Sequence, residues 1–557
     1  MKIIFYLLIF MFIITVWSMW HEKQRKKKLR IQLKKEWGKI PEQEYTTEKL
    51  ESLKAFYLSM QDDRYDIDDI TWNDLDMDYI FMYINNTQSS IGEEYLYALL
   101  RKPCFSKEEL NERNRLIKFF SQNEQKRIYL QSALKGIGKL SQISVYKYIN
   151  QLNQLTPQSN LPHYIMALGL VLSFGLLFVY PSYGGMLVLL FFINNVYQYY
   201  RQKAKIENYL TVFAYILRLL DSTKEIDKLD IKEIEKYTDA LKRDRDAFKN
   251  FKRGAAIVTS KNVTGSIFDS IIDYARMFFH LDLIKFNSML NILKNHRDDL
   301  NRIFINVGFL DSMIAVASFR ETLDYYCEPE LTKVGKPSLS ITDLYHPLLE
   351  DPVPNSISET QSVLLTGSNA SGKSTFIKTL AINAILSQTV FTSISRRYRA
   401  SYFIIFSSMA LRDNILSNES YYIVEIKSLK RILDHINDDV PMLCFVDEVL
   451  RGTNTLERIA ASSRILYALA KQNALVYAAT HDIELTHILE SNYSNYHFQE
   501  HIVNNKILFD YKLYQGRAVS KNAIKLLGML GYSRYIINEA EKAAENFQRT
   551  GEWSRIP

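Results

Sequence analysis

Residues 367–375 read Gly-Ser-Asn-Ala-Ser-Gly-Lys-Ser-Thr, between the apolar run Ser-Val-Leu-Leu-Thr of 362–366 and the helix-patterned segment 376–388. A strand, a glycine-bounded loop and a helix in that order leave few folds open. The loop belongs at the carboxyl end of a strand in an α/β sheet. Gly367 and Gly372 let the backbone curl, so that N–H groups across Ser368, Asn369, Ala370 and Ser371 can point at phosphate oxygens. Lys373 brings a positive charge to the β and γ phosphates. Ser374, followed by Thr375, offers a hydroxyl to Mg²⁺, and the helix behind adds its positive end. The segment predicts binding of a nucleoside triphosphate.

Residues 441–448, Pro-Met-Leu-Cys-Phe-Val-Asp-Glu, form a second apolar strand that ends in two carboxylates. Asp447 is placed to hold the Mg²⁺ shell. Glu448, one residue on, is the candidate to orient and deprotonate an attacking water. Residues 474–481, Ala-Leu-Val-Tyr-Ala-Ala-Thr-His, repeat the pattern and put His481 at a strand end, where it could sense the γ phosphate.

Taken together these residues resemble the ATPase domain of the MutS family, a branch of the ABC ATPases. His346-Pro-Leu-Leu is similar to that family's approach to the nucleotide, 447–455 to its second acidic motif and following loop, and 479–485 to its switch segment. Residues 413–420, with Tyr422 and Glu425, resemble its signature helix, and Ser420 matches the serine that reaches a partner's γ phosphate. Asn418 stands where the family carries a glycine before that serine. Residues 511–516 and 523–532 are similar to its closing strand and helix; 84–92 with 99–103, and 309–317, resemble the two ends of its helical core.

The resemblance implies an α/β ABC-type P-loop ATPase domain, preceded by an all-α core or lever domain. It implies ATP and Mg²⁺ as ligands, Glu448 and His481 as catalytic residues, Ser374 and Asp447 at the metal, and a homodimer acting on double-stranded DNA in mismatch repair. The stretch before Asp66 is expected to be too short for a mismatch-reading or connector domain.

Charge adds a different constraint. The net charge is +7, and residues 21–39 hold nine Lys or Arg against Glu22 and Glu36, so the remaining 60 basic and 60 acidic residues balance. A DNA-holding chain usually spreads its excess over a face. Here the excess follows residues 3–20, eighteen residues without a charge, long enough to span a bilayer and ending in Trp17 and Trp20. Between 148 and 200 there is again no Asp, Glu, Lys or Arg; two apolar arms, 164–180 and 183–199, meet at Pro181-Ser182 and are followed by Arg201, Lys203 and Lys205. Aromatic ends and flanking bases predict an inserted hairpin.

The expected organisation is therefore a transmembrane anchor (1–20), a basic juxtamembrane segment (21–41), two halves of a helical core (42–160 and 201–335) interrupted by a transmembrane hairpin (161–200), and the ATPase domain (336–557). Three spans and the positive-inside bias place the ATPase in the cytoplasm of a multi-pass membrane protein. Cys104, Cys327 and Cys444 are scattered, without metal-ligand spacing, and suit a reducing compartment. The basic run at 236–253 fits a solvated helix face, or a nucleic-acid or lipid contact. The leading expectation is a membrane-anchored, MutS-like ATP hydrolase associated with DNA. An ATP-driven switch for a protein or lipid partner without DNA is the alternative, and an ABC transporter subunit a weaker one.

Overall fold

The structure, a computed structural model, describes all residues except 1, 43, 63, 142, 153–154, 156–158, 254–266, 334, 369–370, 410–420, 452, 504–505, 519–523, 525–526, 528–530 and 557. It divides into two compact units: a helical one of residues 1–61, 81–100 and 111–322, and an α/β one of residues 62–80, 101–110 and 323–557.

The helical unit is organised around the helix Arg297–Arg320. Asp298 and Asp299 in its first turn and Arg320 in its last oppose the helix dipole favourably. Leu300, Ile303, Phe304, Val307, Leu310, Met313 and Ile314 recur at helical spacing and are buried. Two glycines allow a close helix crossing here. A Cβ on Gly308 would lie 2.6 Å from the Tyr95 side chain, and one on Gly92 would lie 2.2 Å from the Asp311 carboxylate. That carboxylate, fully buried, accepts from the backbone N–H groups of Gln88 and Ser89 at 3.0 Å and from the Ser89 hydroxyl at 2.6 Å. It thereby fixes the start of the helix Ser90–Arg101.

Beside it, the buried Glu93 carboxylate meets Lys49 at 3.0 Å and Lys139 at 2.7 Å, and accepts from the Tyr45 hydroxyl at 2.8 Å. Burial favours the neutral acid, but the two ammonium groups prevail and hold Glu93 below the usual carboxylate range. Glu93→Ala would leave Lys49 buried without its partner, a loss of about 3–5 kcal/mol for breaking a buried pair. The expected result is a lower urea midpoint for the helical unit, read by circular dichroism; an unchanged midpoint would show that the lysines reach water.

The charge-free stretch forms two helices, Leu161–Val179 and Pro181–Asp227. Pro181 starts the second, where its missing N–H costs nothing. Gly184 lets the arms touch: a Cβ there would sit 2.5 Å from the Leu177 backbone. The second arm runs on past Arg201 into the helical core. Without glycine or proline from 186 to 227 it continues for 47 residues, about 70 Å at 1.5 Å per residue. Its far half buries Phe213, Ile216, Leu217 and Leu220 in the helical unit, whereas Leu172, Phe178, Tyr183 and Leu189 of the hairpin are exposed. Among the described residues two helices are long and apolar enough to cross a membrane. One, Arg297–Arg320, is 83% buried and is the core helix; the other, Leu161–Val179, is 17% buried.

The α/β unit contains a four-stranded and a six-stranded sheet. The smaller joins β1 (Glu330–Thr332), β2 (Leu339–Leu344), β3 (Asn355–Glu359) and β5 (Arg397–Ser401) in the order β1-β5-β2-β3. The larger contains β4 (Ser362–Thr366), β6 (Ile404–Ser408), β7 (Met442–Asp447), β8 (Ala474–Ala479), β9 (Tyr493–Val503) and β10 (Lys506–Gln515). Its order is β10-β9-β4-β8-β7-β6, parallel apart from the β9–β10 pair. Every residue of β4, β6 and β7 is buried, as befits strands covered on both faces.

Residues 62–80 and 101–110 group with this unit, although the expected boundaries put them in the helical core. The reason is local chemistry. Asp74 accepts from the Ser407 hydroxyl at 2.7 Å and the Met409 N–H at 3.0 Å, and Cys104 N–H donates to the Gln388 carbonyl at 2.7 Å. Burial pushes the Asp74 carboxyl up to about 6. Cys104 and Cys444 are buried thiols.

Candidate functional site

Register brings three strand ends level. Leu365 of β4 pairs with Ala479 of β8, and Ala479 pairs in turn with Asp447 of β7. The loop after β4, the acidic pair after β7 and His481 after β8 therefore emerge on one edge of the sheet. This is the edge at which parallel sheets bind ligands.

Both loop glycines are required by geometry. Gly367 has φ +146°, and a Cβ there would meet the Phe498 carbonyl oxygen at 2.6 Å. Gly372 has φ +106° and precedes the helix Lys373–Thr389. The Lys373 ammonium is buried and donates to the Gly367 and Ser368 carbonyls, both at 2.8 Å. Burial favours its neutral form and lowers its pKa, opposed by the charges of Glu448 and Asp447. Ser374 and Thr375 are exposed on the first turn of the helix. Asn369, Ala370 and Ser420 lie outside the described residues.

Two buried polar atoms here have no hydrogen-bond partner among the described residues: the Ser371 hydroxyl and Oδ1 of Asp447. Buried groups of this kind nearly always find a partner. An orphaned carboxylate oxygen and an exposed hydroxyl, that of Ser374, are oxygen donors of the kind that suit Mg²⁺, so these residues fit the metal that the motif implies.

Glu448 sits just beyond Asp447 with φ +56°, and Leu450 has φ +59°. Two bonds hold this unusual turn. The Glu448 N–H donates to the Ala479 carbonyl at 2.9 Å, and the Glu425 carboxylate accepts from the Leu450 N–H. The Glu448 side chain meets Nε2 of His481 at 3.0 Å and is paired with Arg451. Burial alone would raise its pKa, but bonds to His481 and Arg451 outweigh that and bring it down to about 2. His481 is itself placed by its neighbour: Arg458 grips Asp482 through two bonds of 2.9 and 2.6 Å.

A cleft of about 780 Å³ opens beside the loop. Ser371 to Thr375, Glu448 and Arg451 line it together with Tyr345, His346, Pro352, Val353, Phe376 and Tyr511. Burial first, then the Lys378 charge, pushes the His346 imidazole down to about 4, so it is neutral near pH 7. Sequence reasoning missed Arg451 as a partner of Glu448. It also missed Glu500, which accepts from the Ser368 hydroxyl at 2.7 Å. Neither contact carries a local signal, because strand pairing and the turn after β7 create them.

Residues 363–548 match the family model for MutS domain V. MutS protein homolog 4 of Mus musculus is 34% identical over 266 residues, 44% of this chain and 27% of the relative. The DNA mismatch repair protein MutS of Lactobacillus delbrueckii subsp. bulgaricus is 28% identical over 279 residues, 48% of this chain and 32% of its own length. The DNA mismatch repair protein MSH3 of Debaryomyces hansenii is 25% identical over 297 residues, 48% of this chain and 28% of its length. The chain thus spans about a third or less of each of these relatives. Across residues 363–548, which carry the phosphate loop, the chain is thus similar to MutS domain V.

Proposed function

We propose that this protein is a membrane-anchored, MutS-like ATPase that binds and hydrolyses ATP in a homodimer and couples that cycle to its helical unit, in association with double-stranded DNA. The observation that carries the reading is the convergence of Lys373, Asp447, Glu448 and His481 on one edge of the sheet, beside a cleft of nucleotide size. In this reading the Lys373 ammonium moves from its loop carbonyls to the β and γ phosphates. The loop N–H groups cradle the phosphates, and the aromatic side chains that line the cleft take the base. Ser374 and Asp447 would hold Mg²⁺, which when bound neutralises phosphate charge. Glu448 accepts the proton of the attacking water, and His481 orients Glu448. Ser420 is assigned to a neighbour's site across the dimer.

The exposed apolar surface of the hairpin supports the membrane part. Monomeric soluble proteins rarely leave so continuous an apolar face in water. The DNA part rests on what the relatives' names say of them. A second reading, an ATP-driven switch for a protein or lipid partner, is favoured by the charge distribution. Four of the seven bases at 236–253 are already paired: Arg245 with Asp227 at 3.0 Å, Lys252 with Asp221 at 2.6 Å, Lys249 with Asp246 at 3.3 Å and Arg243 with Asp244 at 3.6 Å.

One preparation tests both. The full chain should stay in membranes on alkaline carbonate extraction. In nanodiscs it should bind duplex DNA at low salt, in a manner altered by ATP, with a log–log salt slope of about −0.9 per phosphate neutralised. Carbonate release would remove the anchor from the reading; no DNA binding at low salt, with or without ATP, would select the second reading.

A further inference from the structure

The base of the hairpin contains a second cavity, of about 310 Å³, far along the sequence from the phosphate loop. Its two walls differ in chemistry. One is a stripe of the long helix Pro181–Asp227, where Gln198, Arg201, Gln202 and Lys205 recur at helical spacing. Leu283, Phe286 and Leu290, on the helix Leu281–Asn295, make the other wall apolar but for the Asn287 amide, which donates to the Asn160 side-chain oxygen at 2.7 Å.

The three bases that follow the charge-free stretch do not share a role. Lys203 is turned away from the cavity to the Tyr199 hydroxyl and Asp282, whose carboxylate lies 3.6 Å from its ammonium. Arg201 and Lys205 have no ion-pair partner among the described residues, and both line the cavity. Exposed Tyr197 and Tyr200 stand within a turn of Arg201, and exposed Tyr164, Ile165 and Leu168 continue the apolar surface along the other arm. Aromatic residues followed by bases mark the depth of lipid headgroups.

We infer that this cavity is a binding site for an anionic phospholipid. Arg201 and Lys205 take the headgroup phosphate, Gln198 and Gln202 hydrogen-bond its ester oxygens, and the leucine–phenylalanine wall takes the start of an acyl chain. The inference rests on the membrane reading above. An apolar wall facing a pair of cations suits an amphiphile better than a free anion.

The test uses the full chain in phosphatidylcholine vesicles that contain spin-labelled phosphatidylglycerol or spin-labelled phosphatidylcholine, with the motionally restricted component read by electron spin resonance. The wild type should show such a component, enriched in phosphatidylglycerol. Arg201→Gln with Lys205→Gln should reduce that preference, by up to about five-fold per cation removed. Arg201→Lys should keep it. Lys23→Gln with Lys27→Gln removes the same charge from an exposed helix face and should cost less. An equal loss in both double variants would overturn the site in favour of diffuse surface charge. Loss of the preference in millimolar inorganic phosphate, but not in chloride of equal ionic strength, would reassign the site to free phosphate. A wild type with no restricted component would overturn the membrane reading itself; a restricted component without headgroup preference would overturn the site alone.

Discussion

Replacing Glu448 with glutamine should lower ATP turnover by about 10²–10⁴-fold, the usual contribution of a positioned general base, while nucleotide affinity stays near that of the wild type. Glutamine keeps the shape of the side chain and can still meet His481, but cannot accept a proton from water. Affinity survives because Lys373, the loop amides and the aromatic lining of the cleft are untouched. Glu448 is held down to about 2 by His481 and Arg451 against the effect of burial. It is therefore ionised throughout pH 5–8, and the deficit of the variant should be flat over that window. The sign for stability follows: a depressed carboxylate pKa adds stability above its ordinary value, and that share is lost only as the pH falls towards 2. Single-turnover hydrolysis and equilibrium binding of a fluorescent ATP analogue separate the two effects. Wild-type turnover in Glu448→Gln would reject its assignment as the base.

Lys373→Ala should act on both quantities. A hydrogen bond to a charged group is worth about 1.5–3 kcal/mol, which corresponds to an affinity loss of roughly 10- to 150-fold. The surroundings make the upper part of that range the expectation. Without the ammonium, the carboxylates of Asp447, Glu448 and Glu500, all of which act on Lys373, would face the phosphates unopposed. Turnover should fall with binding, since the same charge stabilises the γ phosphate as it departs. Unchanged affinity would show that the ammonium stays on the Gly367 and Ser368 carbonyls when nucleotide binds.

The parts of this molecule that could be read from sequence are those built from neighbours in the chain. The order of β4, loop and helix follows from an apolar run, two glycines and a helical pattern, and the structure has that order. The mostly helical region followed by an α/β unit was also legible, from apolar periodicity and from runs that end in Asp447 and His481. The contacts that give those residues their environment were not legible. Leu365, Ala479 and Asp447 are made level by register between strands 114 residues apart for Leu365 and Ala479 and 32 apart for Asp447 and Ala479. The hold of Glu425 on Leu450, and of Glu500 on Ser368, depends on that register. The same limit explains the boundaries. Asp74 and Cys104 lie in helix-patterned sequence, and only their bonds to Ser407, Met409 and Gln388 show which unit they join.

The long helix Pro181–Asp227 has a mechanical consequence. Kinks need proline, glycine or an inserted group, and residues 186–227 hold no glycine or proline. One end of the rod is exposed and apolar; the other is gripped by the core of the helical unit. A stiff rod held at both ends cannot absorb rotation in between. If a bilayer fixes the outer end, a small tilt of the inner end becomes a displacement of several ångströms at the membrane. The thickness and tension of the bilayer would then set which tilts are permitted, a boundary condition imposed from outside the fold.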